Sequence, residues 1–439
     1  MNLYSLLQDR ERTKQPIRVG IIGVGKFATM FMAQIIRTPG MKLVGVCDLD
    51  LGRTRNNLHC VGFTEQDLRE ILITEDSTQL LERADVDVVV ESTGDPIVGA
   101  RHALMCIEHR TDVVMVNVEA DVLVGAVLAT RARENGVIYS LAYGDQPALI
   151  VEQVDAVRSM GLEVVCAGKG TKYLPSYHHS TPDTVWDHYG LTREDAEKGG
   201  MNSKMFNSFL DGTKSAIEMT AVANATGLSP PHEGLTFPAC SVDELGSLLI
   251  PQSDGGILPQ KGMVEVVSSL NRDGTEVDRD LRWGVYVVFE AGTEYVARCF
   301  REYGLLTDST GRYSALYRPY HLIGLELGIS VASVALRREP TGCPMTFAAD
   351  AVSVAKRDLG AGEVLDGEGG STVWGKILPA QTSLNLKALP IGFASKLTLR
   401  NSIAEGSVVT WNDVMTDELN DIHRLRKKME QDLSKSTSD

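Results

Sequence analysis

The 439-residue chain has no apolar run approaching the roughly 18–20 residues that a membrane helix requires. A spanning segment and a membrane role are therefore not expected. Its first 16 residues turn charged after a short apolar start and contain no long hydrophobic stretch, so a secretion signal is not expected either. Positive charge is in short supply: 43 Lys+Arg against 58 Asp+Glu leave a net charge of −15. That balance disfavours nucleic acid and anionic membranes as main partners, while leaving room for a local basic pocket that grips a phosphate. Cysteine is present seven times, but scattered and never as Cys-x-x-Cys. This argues against a zinc site or a disulfide framework and for buried thiols in a reducing, cytoplasmic setting. No repeat of solenoid period occurs. What remains is an ordinary globular composition, 43% hydrophobic and 23% charged, long enough for two or three domains.

The strongest positive signal lies near the start. Ile17–Ile22 is an apolar run of strand length. It leads into Gly23-Val24-Gly25-Lys26-Phe27-Ala28, and a helical pattern carrying Phe31, Ile35 and Ile36 follows. Strand, glycine turn and helix in that order are the context a dinucleotide-binding fingerprint needs. Gly23 permits the tight turn, Gly25 lets the backbone approach a pyrophosphate, and Ala28 allows close helix–strand packing. The helix N-terminus then offers N–H groups to the anion, placing Lys26 and Phe27 at the cofactor. A second apolar run, residues 43–47, ends at Asp48, suited to a ribose hydroxyl. Arg53 and Arg55 follow it, placed for a 2′-phosphate or simply solvated; the lean is towards NADPH. Further β/α alternation gives strands at 86–92, 112–117 and 137–140, with helices at 102–109 and 122–135. Ligands of such open sheets bind beyond the carboxyl ends of strands. Ser92, Thr93, Asn117 and Glu119 sit at such ends, to frame a nicotinamide or to cap their loops.

From about residue 150 strands and loops dominate. An apolar strand at 162–167 runs into Gly168-Lys169-Gly170-Thr171-Lys172-Tyr173. The adjacent pair His178 and His179 reads as a surface or loop feature, a poor metal chelate on a strand. Residues 200–218 carry Asn202, Ser203, Lys204, Asp211, Lys214 and Glu218 among apolar neighbours. Helical spacing puts Lys214 and Glu218 on one face with Asp211 nearby, either a solvated ion-pair ladder or a partly buried polar face. Arg318 lies in a segment of cations, phenols and His321 that precedes an apolar helix at 322–335. The chain thus divides into a Rossmann domain at 1–150, an α+β substrate and dimerisation domain at 151–345, a small β-rich module at 346–420, and a charged tail at 421–439 that frays from a helix.

On Gly23-x-Gly25-x-x-Ala28, Gly144-Asp145-Gln146-Pro147 and Gly168-Lys169-Gly170-Thr171-Lys172-Tyr173, the sequence resembles the homoserine dehydrogenase-like oxidoreductases. Lys356-Arg357-Asp358-Leu359-x-Ala361-Gly362 and Ile403-Ala404-Glu405-Gly406 resemble the C-terminal SAF domain that some of them carry. Where true homoserine dehydrogenases have Thr-Ala-Asn-Lys, this chain reads Val116-Asn117-Val118-Glu119, an acid replacing the lysine. Within the group it is most similar to the reductoisomerase-like (DXR-like) enzymes that make 2-C-methyl-D-erythritol 4-phosphate from 1-deoxy-D-xylulose 5-phosphate. The alternatives are a D-apionate-like sugar-acid oxidoisomerase and a homoserine dehydrogenase-type oxidoreductase.

The resemblance implies NADPH, a phosphorylated ketose substrate, a divalent metal (Mg²⁺ or Mn²⁺) and a homo-oligomer. Rearranging an α-hydroxy ketone calls for a Lewis acid on adjacent oxygens, and the carboxylates on offer are Glu119, Asp145, Asp211 and Glu218. Lys172 is expected to polarise the substrate. Asn202, Ser203 and Arg318 are expected at its phosphate, and Lys204, Lys214, Asp211 and Glu218 in the catalytic machinery.

Overall fold

In the computed structural model, which describes residues 2–83, 85–415 and 420–436, the chain packs as two compact units. The first comprises Met1–Leu149 with His321–Met345, the second Ile150–Tyr320 with Thr346–Asp439.

The first unit is built on six parallel strands. These are β1 (Ile17–Ile22), β2 (Met41–Cys47), β3 (Leu72–Thr74), β4 (Val88–Glu91), β5 (Asp112–Met115) and β6 (Tyr139–Leu141). Their order, β3-β2-β1-β4-β5-β6, reverses direction between β1 and β4, as in a doubly wound dinucleotide-binding sheet. The expected α/β Rossmann class is thus observed. The strands read as unbroken apolar runs because helices cover both faces; Val19, Ile21, Val88, Val89 and Val90 have no exposed surface. The helix expected at 322–335 spans Gly328–Arg337 and belongs to this unit. Its Val331, Ala332 and Val334 are buried with Val19, Phe31 and Val114 in one core. The helix expected from Val122 starts at Val118, so Asn117 is its N-cap and Glu119 lies in its first turn.

The second unit has a four-stranded sheet of β7 (Glu163–Thr171), β8 (Met263–Ser268), β9 (Val285–Glu290) and β10 (Tyr313–Arg318), ordered β10-β9-β7-β8. Only β7 and β8 run parallel. Strand β7 is longer than expected and takes in the glycines of the Gly168–Tyr173 motif. A Cβ on Gly168 would lie 1.7 Å from the Glu265 carbonyl oxygen, and one on Gly170 2.0 Å from that of Leu281. The two glycines therefore serve close backbone approach within the sheet.

The 200–218 stretch is two helices, Ser203–Leu210 and Thr213–Thr226, broken at Gly212, which has φ +91°. The second is buried almost all round, and it packs on β7, β8 and the hairpin partners β11 (Ala349–Ala355) and β13 (Val373–Pro379). Two short strands, β12 (Val364–Asp366) and β14 (Ser395–Thr398), complete the β-rich segment.

The charged tail is not simply frayed. The helix Asp421–Ser436 docks with Arg426 wholly buried against Asp350 at 2.6 Å. Of the tail expected to fray over 421–439, residues 437–439 lie outside the described residues.

Candidate active site

In the first unit the turn after β1 is held from several sides. Gly23 adopts φ +89°, and a Cβ there would come within 2.7 Å of the Thr93 amide nitrogen, so only glycine fits. Its own N–H bonds to the Cys47 carbonyl at 2.8 Å. The Val24 N–H donates to Asp48 Oδ2 at 2.6 Å, and Asn57 donates to the Val24 carbonyl at 3.3 Å.

Gly25 is different. It is the exposed N-cap of the helix Lys26–Ile35, no side chain caps that helix, and a Cβ on Gly25 would meet nothing within 4 Å. The protein itself therefore does not need glycine here; open space lies over the unpaired first turn of a helix. A dinucleotide pyrophosphate fits that cradle through the N–H groups of Lys26, Phe27 and Ala28. Lys26 is exposed, Phe27 half-buried and Ala28 buried.

The remaining residues expected at the cofactor are tied into the scaffold. Asp48 also pairs with Arg53 at 3.0 Å. Ser92 Oγ donates to the Gly23 carbonyl at 2.7 Å, fixing the turn. Thr93 bonds Glu91. Asn117 caps its helix by accepting from Ala120 N at 3.0 Å and donates to the Asp95 carbonyl at 3.0 Å. Glu119 is half-buried in that helix's first turn, and Asp145 is buried, accepting from Gln146 N at 2.9 Å.

The sequence motifs do not single out Glu91. Fully buried at the end of β4, it accepts from His102 at 3.2 Å and from the Thr93 N–H at 3.3 Å. The signal was an acid closing an otherwise apolar strand.

In the second unit, side chains singled out from sequence are already engaged. Lys172 donates to the His188 carbonyl at 2.6 Å and lies over the Tyr189 ring. Burial, and then the like charge of Arg282, lowers its pKa. The two cations thus repel one another, and the charge of Arg282 also lowers the phenol pKa values of Tyr177 and Tyr189 against the rise that burial imposes. Lys204, exposed, bonds the Asp366 carbonyl. Asn202 caps the helix Ser203–Leu210 by accepting from Met205 N at 3.0 Å. Ser203 is half-buried in that first turn; Lys214 is half-buried one residue into the next helix. Arg318 lies over Tyr320 at the end of β10.

The carboxylates do not form the expected ladder. Asp211 sits at the C-cap of one helix and bonds Lys356 at 2.7 Å, whereas Glu218 in the next helix bonds Lys169. Both pairs are buried. Among the described residues no three His, Cys, Asp or Glu side chains cluster as metal ligands. Two of the three buried candidates, Asp211 and Glu218, are each neutralised by an ammonium partner, so neither offers a carboxylate to a divalent ion.

The structure assembles a different group around Asp211. Pro175–His179 forms a 3₁₀ turn, not a strand. It places His178 between Tyr173, with Tyr173 OH 2.9 Å from Nε2, and the Asp211 carbonyl, 2.7 Å from Nδ1. A carbonyl only accepts, so Nδ1 carries a proton; in the neutral ring Nε2 then accepts from Tyr173. Burial lowers the His178 pKa and raises that of Tyr173. His178 stacks on Trp374 at 3.8 Å and Tyr173 on Phe237 at 3.9 Å. Lys356 anchors the far end, donating to Asp211, to the Ser180 carbonyl at 2.6 Å and to the Gly370 carbonyl at 2.7 Å. Tyr173 and Lys356 lay inside motifs noted in the sequence, but nothing there marked them as partners. The surface reading of His178 fails because the Asp211 carbonyl and the Trp374 ring that bury it come from residues 33 and 196 positions away.

Two family models cover most of the first 327 residues. The NAD-binding domain of homoserine dehydrogenase matches residues 23–142, and the catalytic domain of oxidoreductase DRL matches residues 144–327. A comparison with curated proteins gives no match.

Among solved structures, biliverdin reductase from a Synechocystis species, in complex with biliverdin and NADP⁺, is 21% identical. The match covers 37% of this chain and 52% of that one, with a TM-score of 0.27. The chain thus spans about half the length of that relative. YvaA of Bacillus subtilis is 14% identical over 75% of this chain and 92% of its own, with a TM-score of 0.36. The 1-deoxy-D-xylulose 5-phosphate reductoisomerase of Zymomonas mobilis, in complex with NADPH, is 15% identical over 46% and 57%, with a TM-score of 0.32.

Proposed function

We propose that this chain, an NAD(P)-dependent oxidoreductase, interconverts an alcohol and a carbonyl on a small hydroxylated acid, with Tyr173 and His178 moving the proton. The observation that carries this reading is the Tyr173–His178–Asp211 hydrogen-bonded chain with its fixed tautomer. The bound nicotinamide supplies hydride transfer; the protein's task is the proton.

As an alcohol is oxidised, its hydroxyl proton passes to the Tyr173 oxygen while Tyr173 gives its own proton to His178 Nε2. Reduction runs the same path backwards. A raised phenol pKa keeps Tyr173 protonated, and a lowered imidazole pKa keeps Nε2 vacant at neutral pH. Lys172 and Arg282 are proposed to receive the carboxylate, whose charge would relieve their mutual repulsion. The segment 346–420, expected to be SAF-like, contributes Lys356 and the Gly370 carbonyl to the same cluster, so we read it as part of the catalytic unit.

The finer reading, reductive rearrangement of 1-deoxy-D-xylulose 5-phosphate with a divalent metal, asks for free carboxylates. Asp211 and Glu218 are bound to lysines instead. The two readings part in one assay that follows the nicotinamide band. One arm holds NADP⁺ with homoserine and a panel of sugar acids; the other holds NADPH, Mn²⁺ and 1-deoxy-D-xylulose 5-phosphate. Turnover in the first arm, reduced about 10²–10³-fold in Tyr173→Phe, supports the proposal. Turnover confined to the second arm refutes it.

A further inference from the structure

The first unit has a concave site at the end of the sheet opposite the glycine turn. A cleft of about 630 Å³ opens where β1 and β5 begin, lined there by Ile17, Arg18 and Asp112. Its lining is strongly basic for a protein of net charge −15, with five cations against two carboxylates. Two of the cations are already used. Arg18 holds Asp87 at 2.6 Å, and Arg338 holds Asp112 and the Gly136 carbonyl. The other three, Arg10, Lys14 and Arg110, have no side-chain hydrogen bond or ion pair among the described residues.

Backbone conformation makes the arrangement harder to dismiss as a chance patch. Lys14, Arg110 and Arg338 all adopt left-handed φ, at 54°, 56° and 60°. Each stands just past a helix: Leu3–Arg12, Pro96–Glu108 and Gly328–Arg337 respectively. Glycine is the usual residue at such a position. Elsewhere this chain uses it, with Gly136, Gly190 and Gly227 closing their helices at φ 70°, 67° and 74°; Lys387 is a further exception. Three helix ends around one cleft therefore accept backbone strain to carry a cation. Attraction to the helix dipole accounts for a cation at each terminus, but not for the convergence of three unpaired cations on one cavity.

We propose that this cleft binds a small phosphate-bearing polyanion, separate from the cofactor cradle. Arg10, Lys14 and Arg110 grip the anion, and the Arg18–Asp87 and Arg338–Asp112 pairs brace the walls. The volume suits a small molecule rather than a macromolecule, and guanidinium groups match phosphate oxygens in pairs.

Pyrophosphate is the probe, titrated calorimetrically into the full chain at low salt. Replacing Lys14 and Arg110 by glycine removes two cations while suiting the left-handed backbone, so the Lys14→Gly/Arg110→Gly variant is expected to stay folded; circular dichroism checks this. The proposal expects saturable binding that is at least about ten-fold weaker in that variant and persists in Gly25→Val, whose cofactor cradle is obstructed. No binding to the wild type, equal binding to the double variant, or loss of binding in Gly25→Val alone would each overturn it. Should the double variant unfold, Arg10→Gln provides the same comparison.

Discussion

Lys356 shows how much one side chain can settle. Its ammonium has three donors, and the structure supplies three acceptors from three segments: Asp211, Ser180 and Gly370. Burying such a charge is tolerable only because every donor is met. Lys356→Met leaves the Asp211 carboxylate buried without its cation. A loss of about 3–5 kcal/mol is expected in denaturant titration, with disruption of the His178 site.

Asp121 is the opposite case. It is fully buried, one oxygen accepts from Tyr139 at 2.8 Å, and the other has no partner among the described residues. Burial pushes its pKa up to about 7. The folded state therefore holds a proton that the unfolded chain, titrating near 3.8, has released. Between those values the folded form binds more protons, so this group's contribution to stability falls as pH rises and is least above about 7. Asp121→Asn should remove that slope. Melting temperatures of variant and wild type should converge towards acid pH and separate above neutrality. Parallel curves across that range would show that Asp121 is ionised throughout.

At the level of elements, glycines that look alike in the sequence do different work. Gly23 and Gly168 face backbone so closely that a methyl group collides with it, whereas Gly25 faces open space at an ordinary φ of −84°. Gly168→Ala should therefore cost folding stability, read as a lowered melting temperature. Gly25→Val should fold normally yet lose nicotinamide dinucleotide affinity, read by fluorescence titration. Unchanged affinity in Gly25→Val would remove the cradle assignment.

The first unit was legible because each strand, turn and helix is coded locally by apolar runs and glycine spacing. The break at Gly212 was not. A helix-period pattern runs through Asp211, Lys214 and Glu218 without a proline, and the two acids turn to Lys356 and Lys169, 145 and 49 residues away. Periodicity reports a face; it does not report which distant residue meets that face.

Over the whole molecule, the same limit explains the return of His321–Met345 to the first unit. The helix Gly328–Arg337 is apolar and buried, as its pattern says, but nothing in the pattern names the sheet it covers. The docking of Arg426 onto Asp350 was hidden for the same reason inside a run of charges. In a chain of net charge −15, like charges sit close enough to repel at Lys172 and Arg282 in one unit, and five cations line the basic cleft of the other.

We propose that Tyr173 and His178 carry the proton in a nicotinamide-dependent alcohol–carbonyl interconversion. The most direct test is the pH dependence of kcat/KM in the oxidative direction, with the hydroxy acid that turns over, for wild type and His178→Gln. Burial holds the His178 pKa below 6.5, so wild-type activity should be flat through neutrality and fall on an acid limb below that value. His178→Gln should be slower by about 10²-fold or more and lack that limb. An acid limb that persists unchanged in His178→Gln would contradict the account.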